Sequence, residues 1–79
     1  MNLKPLRSNV LIKPTEVQEN RIGLIIQSIS NEGIIKGVGI DVKELKIGDV
    51  VRFDRQTAVT LDSYLLCREA DVLCVIEDN

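Results

Sequence analysis

A chain of 79 residues with net charge −2 and no histidine is one small domain with a marginal core. A chain this short buries only about 60 to 65% of the surface it exposes when unfolded. Charges of both signs are scattered without a basic block, and the aromatics are Phe53 and Tyr64 alone, which excludes a phosphate-binding footprint and a base-stacking platform.

Three devices support domains of this size: disulfides, a structural metal and oligomerisation. No secretory signal opens the chain, so Cys67 and Cys74 are expected to be free, and a cytoplasmic location is expected with it. Without histidine or a C-x-x-C pair, a structural metal is not expected. No apolar run approaches the roughly 20 residues of a membrane span. Oligomerisation remains.

In chain order, Pro5 suits an extended N-terminal segment. "VLIK" (10–13) reads as the first strand, closed by Pro14. "GIIKGVGI" (33–40) reads as the next, with Gly37 and Gly39 marking a bend or bulge. "DVKELK" (41–46) has room for one helical turn at most, and "KIGD" (46–49) is a turn into "DVVRF" (49–53). "AVTL" (58–61), "YLLCR" (64–68) and "VLCVIE" (72–77) complete the set, with "READ" (68–71) as the last turn. Short β-branched runs at regular spacing, with no helix-length pattern, predict a small all-β barrel or sandwich over residues 1–79.

The segment 15–32, "TEVQENRIGLIIQSISNE", is long for a loop inside a compact domain. Leu24, Ile25 and Ile26 stand at its apolar centre between polar ends. Two readings are open. "RIGLIIQSI" is a further strand that pairs with "GIIKGVGI" through a turn at 30–33, or the segment is a mobile loop that offers apolar residues to a partner.

Catalytic chemistry is missing from the pattern. Cys67 and Cys74 lie in apolar strands and read as small buried hydrophobes. Ser8, Ser28, Ser30 and Ser63 lack a nucleophile-elbow context. Asp49, Asp62 and Asp71 fall at turns, where aspartate caps the backbone, and "GVG" (37–39) is too short for a phosphate loop. The chain is expected not to be an enzyme.

Four stretches carry a resemblance. "NLKPLRSNVLIKP" is similar to the opening of the GroES-type co-chaperonins, the chaperonin-10 family, through Leu3, Pro5, Leu6, Val10-Leu11-Ile12 and Lys13. Ser8 and Asn9 depart from that family's acidic-basic pair. Gly23-Leu24-Ile25-Ile26 resembles the glycine and hydrophobic tripeptide of its mobile loop, with Ile22 where a first glycine often stands. "LKIGDVVRF" (45–53) and "YLLCREADVLCVIE" (64–77) resemble two later segments, in collinear order. Two features depart further. Only "IDVKEL" (40–45) stands where relatives carry a roof hairpin, and "DRQTAV" (54–59) replaces a Gly-Tyr.

The resemblance implies a small, partly open antiparallel β-barrel with a long mobile loop at about 15–32 and a truncated roof over 40–45. It implies a heptameric homo-oligomeric ring that caps an ATP-loaded GroEL-type chaperonin, modulates its ATPase cycle and encloses client proteins. ATP and magnesium belong to that partner; no cofactor, nucleic acid or membrane is implied for this chain. Gly23, Leu24, Ile25 and Ile26 would bind the chaperonin. Leu3, Pro5 and Leu6 would meet Leu73, Val75 and Ile76 of a neighbouring copy. The resemblance implies a bacterial cytoplasm, or a host's cytoplasm if the copy is virus-encoded, as the short roof suits. The competing reading is a small oligomeric β-barrel that binds a different protein through the same loop.

Overall fold

The computed structural model describes residues 3–15, 20–21, 24–25 and 31–77. β1 (Asn9–Pro14), β4 (Glu32–Val38), β5 (Val50–Phe53), β6 (Val59–Leu61), β7 (Tyr64–Arg68) and β8 (Val72–Val75) form one antiparallel sheet in the order β6-β7-β1-β4-β5-β8. β2 (Asn20–Arg21) and β3 (Leu24–Ile25) form a separate two-stranded sheet. The main sheet is all-β and not closed, which matches the partly open barrel expected; β6 and β8 are its edges.

Side-chain alternation places the core. Val10 and Ile12 of β1, Ile35 of β4, and Val51 and Phe53 of β5 are fully buried, joined by Leu65 and Cys67 of β7. Leu11 points to the opposite face and is buried too, so β1 is apolar on both sides. Burial of Cys67 agrees with its reading as a small hydrophobe. Desolvation, and secondarily the nearby Asp71 carboxylate, push its thiol up to about 11. Cys74 is exposed, contrary to expectation. It sits opposite Arg52 on the outward face of the sheet's edge.

The turns carry the expected chemistry. Asp49 closes the 46–49 turn: its Oδ2 accepts the Lys46 N–H at 2.9 Å, and its own N–H donates to the Lys46 carbonyl at 3.1 Å. Gly48 takes φ +100° there, a conformation open to glycine at little cost. Asp62, at φ 55°, turns β6 into β7. In "DRQTAV", Asp54 caps a 3₁₀ turn over Arg55–Thr57 by accepting the Gln56 N–H at 3.0 Å. "READ" holds a second 3₁₀ turn, Glu69–Asp71.

The expected bulge lies at Lys36: Leu11 faces Gly37 while Ile12 faces Ile35, leaving Lys36 over. Gly39 lies beyond β4 and serves a different purpose. A Cβ there would collide with the Arg7 carbonyl, so only glycine lets the chain pass beneath the N-terminal turn. Residues 41–46 form bends and no helix.

Among the described residues, no part of the expected strand "RIGLIIQSI" pairs with β4; Ile22, Gly23 and residues 26–29 of it lie outside the described residues. Gly33 and Ile34 already face Pro14 and Lys13 on one side and Val51 and Val50 on the other, so both flanks there are taken. Leu24 and Ile25 pair instead with Arg21 and Asn20. β8 ends at Val75, two residues short of the expected strand.

Candidate functional site

Two surfaces are candidates for contact, and both are made by chain ends. The first is the N-terminal segment. Residues 3–6 form no strand. Pro5 is buried: its Cδ lies 3.1 Å from where a Cβ on Gly37 would stand. Leu3, Pro5 and Leu6 wall a shallow groove with Leu61 of β6 and Leu66 of β7. Leu6 is 55% exposed. The segment ends in a tight turn at which the Asn9 N–H and Nδ2 donate to the Leu6 carbonyl, at 3.0 and 2.8 Å. These two bonds hold Arg7 at φ 57°, an uncommon conformation for a residue with a side chain. Asn9, at a position where the resemblance expects a basic residue, thus closes the turn through neutral hydrogen bonds.

The second surface is β8. One side of it pairs with β5; the other faces no strand among the described residues. Such an edge is a row of unpaired backbone donors and acceptors, ready to receive another strand. Val75 faces Val51, and Val72 faces Phe53, while Leu73 is the extra residue of a bulge and is 70% exposed. Ile76 is half-buried, and its N–H donates to the Val50 carbonyl at 2.7 Å. A groove runs beside this edge, bounded by Glu44, Leu45 and Glu69.

The two grooves share no residue. Of the residues expected at a subunit interface, Leu6 and Leu73 carry the exposed apolar surface; Leu3, Val75 and Ile76 are half-buried. Pro5 is buried within its own chain. Of the four expected chaperonin-binding residues, Leu24 and Ile25 lie in β3. Gly23 and Ile26 lie outside the described residues.

Sequence reasoning missed one residue at these surfaces. Glu69 Oε2 accepts the backbone N–H groups of Glu44 at 2.8 Å and Lys43 at 3.0 Å. A charged residue in a polar turn has no periodicity to reveal such a role, and its partners are 25 and 26 positions away. Among the described residues, no group of three histidine, cysteine, aspartate or glutamate side chains could hold a metal ion, and no helix is long and apolar enough to cross a membrane.

Residues 2–76 match the family described as "Chaperonin 10 Kd subunit". The chain is 38% identical to the co-chaperonin GroES of Parabacteroides distasonis, over 96% of this chain and 100% of that protein. It is 36% identical to the co-chaperonin GroES of Bacteroides thetaiotaomicron, over 96% and 99% of the two chains. It is 30% identical to that of Thermodesulfovibrio yellowstonii, over 98% and 99%. The first of these alignments runs to 89 positions, longer than the 79-residue chain, so that relative carries residues without a counterpart here.

Proposed function

From the premise that this chain belongs to the chaperonin-10 family, we propose that it is a co-chaperonin: a heptameric ring that closes an ATP-loaded GroEL-type chaperonin and modulates its ATPase cycle. The observation that carries this is the family match across residues 2–76, which takes in the apolar loop and both candidate contact surfaces. The role needs no catalysis by this chain; nucleotide and magnesium belong to the partner. It places the ring in the cytoplasm with its chaperonin, and client proteins meet it only inside the closed chamber.

Gly23, Leu24, Ile25 and Ile26 are the proposed binding residues. Burying three aliphatic side chains contributes roughly 5 to 9 kcal/mol at best. Ordering about ten loop residues costs about 10 kcal/mol or more before new hydrogen bonds are counted. One loop alone therefore binds weakly. Several loops on one ring raise the effective concentration, and avidity exceeds single-site affinity by about 10² to 10⁴. Weak single contacts also permit release when the partner changes state.

The ring supplies what the isolated chain lacks. The N-terminal segment of one copy, with Leu3 and Leu6, pairs along β8 of the next, against Leu73, Val75 and Ile76. This covers an open strand edge and adds interface to a small core. With only residues 40–45 in place of a roof hairpin, the dome has a wide opening at its apex.

The test mixes the protein with a bacterial-type chaperonin and ATP and follows co-sedimentation and ATP turnover. A nucleotide-dependent complex with an altered ATPase rate is expected. No complex with any such chaperonin would overturn the reading in favour of an oligomeric β-barrel that serves another protein.

A further inference from the structure

We infer that Glu69 is a positioning residue for ring assembly: it ties the N-terminal turn, the short loop 39–45 and edge strand β8 into one unit, so that both halves of the subunit contact are presented together. The inference rests on the ring reading above.

Two sets of hydrogen bonds meet at this residue, and a third joins the same loop to the same turn without it. Its backbone N–H donates to the Ser8 carbonyl at 2.8 Å, which fastens it to the turn that ends the N-terminal segment. Its carboxylate accepts the Lys43 and Glu44 N–H groups at 3.0 and 2.8 Å, which fastens it to the loop. The loop is bound to the same turn independently, through Gly39 N–H to the Asn9 carbonyl at 2.8 Å and Asp41 N–H to the Arg7 carbonyl at 2.9 Å. Glu69 also begins the 3₁₀ turn that leads directly into Val72 and β8.

The loop pairs with no strand, so without Glu69 the Lys43 and Glu44 amides would need water. A carboxylate accepting backbone N–H groups makes charge-assisted bonds, stronger than neutral ones. Leu45 is buried and Val42 packs on the core, so these two anchor the loop to the barrel whatever stands at 69. What Glu69 sets is the wall of the groove beside β8, where Glu44, Leu45 and Glu69 face Val72, Leu73 and Val75. The proposed occupant is the N-terminal segment of a second copy. Among the described residues it has no strand partner in its own chain, its Leu6 is 55% exposed, and Leu73 at the groove is 70% exposed. One residue thus joins the segment that is donated to the edge that receives.

The test compares the parent with Glu69→Ala and Glu69→Gln by sedimentation over a dilution series and by amide hydrogen exchange at Lys43 and Glu44. Glu69→Ala is expected to raise the ring's dissociation constant by about tenfold or more per contact and to speed exchange at both amides. Glu69→Gln, whose carboxamide oxygen still accepts, restores most of the assembly. If Glu69→Ala does not fold, Glu69→Asp replaces it, because its carboxylate is one methylene short of the two amides; the same loss is expected. An unchanged dissociation constant, or equal weakening by Ala and Gln, overturns the inference. A monomeric parent overturns the ring reading and this inference with it, whereas a parent ring indifferent to Glu69→Ala or Glu69→Asp overturns this inference alone.

Discussion

The two longest connections in the chain, 15–31 between β1 and β4 and 39–49 between β4 and β5, differ in the hydrogen bonds that hold their described residues. The second is fastened throughout. Val42 N–H returns to the Gly39 carbonyl, Lys43 and Glu44 are held by Glu69, and Lys46 is held by Asp49. Its leucine, Leu45, belongs to the core. The first is tied to the main sheet at its edge, where Thr15 N–H and Oγ1 donate to the Glu32 carbonyl at 3.0 and 3.1 Å. Its Leu24 and Ile25 pair with Asn20 and Arg21 in a sheet of their own, apart from the six strands. Leu45 thus completes the core of its own chain, whereas the proposed function assigns Leu24 and Ile25 to a partner.

Substitutions can break that contrast. Leu45→Ala is expected to have the largest effect on the chain itself, a loss of about 2 to 5 kcal/mol of subunit stability in denaturant unfolding, because a buried leucine leaves a cavity. Ile25→Ser is expected to leave subunit stability within about 0.5 kcal/mol. It should instead weaken capping by more than about 100-fold in a co-sedimentation titration, since each loop loses an apolar contact and avidity multiplies the loss. Equal stability losses for the two variants would erase the distinction. Thr15→Val sharpens it: loss of the hydroxyl bond to Glu32 is expected to lower stability by about 1 kcal/mol, with chaperonin affinity unchanged.

The cysteines provide the smallest effect and a parallel contrast. In the isolated subunit Cys74 is expected to react readily with a thiol reagent, and Cys67 only on unfolding. Burial raises the folded Cys67 thiol from 9.0 to about 11, so the folded state holds its proton more tightly than the unfolded chain does. The stability this contributes is full below pH 9 and is lost as pH rises toward 11. Cys67→Ala should flatten that part of the stability profile and leave the neutral-pH profile's shape intact.

Much of the sheet was legible in the residues. Six apolar runs became six strands, with period-two burial in β4, β5 and β7, and "KIGD" became the turn its aspartate and glycine suggest. The pairing of Leu24 and Ile25 was not, because a short apolar run is compatible with several partners; both flanks of Gly33 and Ile34 are occupied, which leaves no room for a further strand at those two positions. Exposure of Cys74 was hidden for a related reason: a bulge at Leu73 shifts its face relative to a regular strand. At the candidate interface, Leu6 and Leu73 are exposed as an apolar contact requires. Pro5 is instead buried within the chain against Gly37, so deleting residues 1–6 would remove that packing as well as the contact. Leu73→Asp is the cleaner disruption, expected to give folded monomers by sedimentation.

By itself the sequence determined the class of fold, the strand set and the membership of a family, because period-two burial and turn residues are local and collinear motifs survive in order. Tertiary structure alone decided which edge stays open, that Gly39 must pass beneath Arg7, and that Glu69 reaches across 25 positions to hold a loop. Those depend on which segments come to lie side by side, and no residue encodes its distant neighbour in its own vicinity.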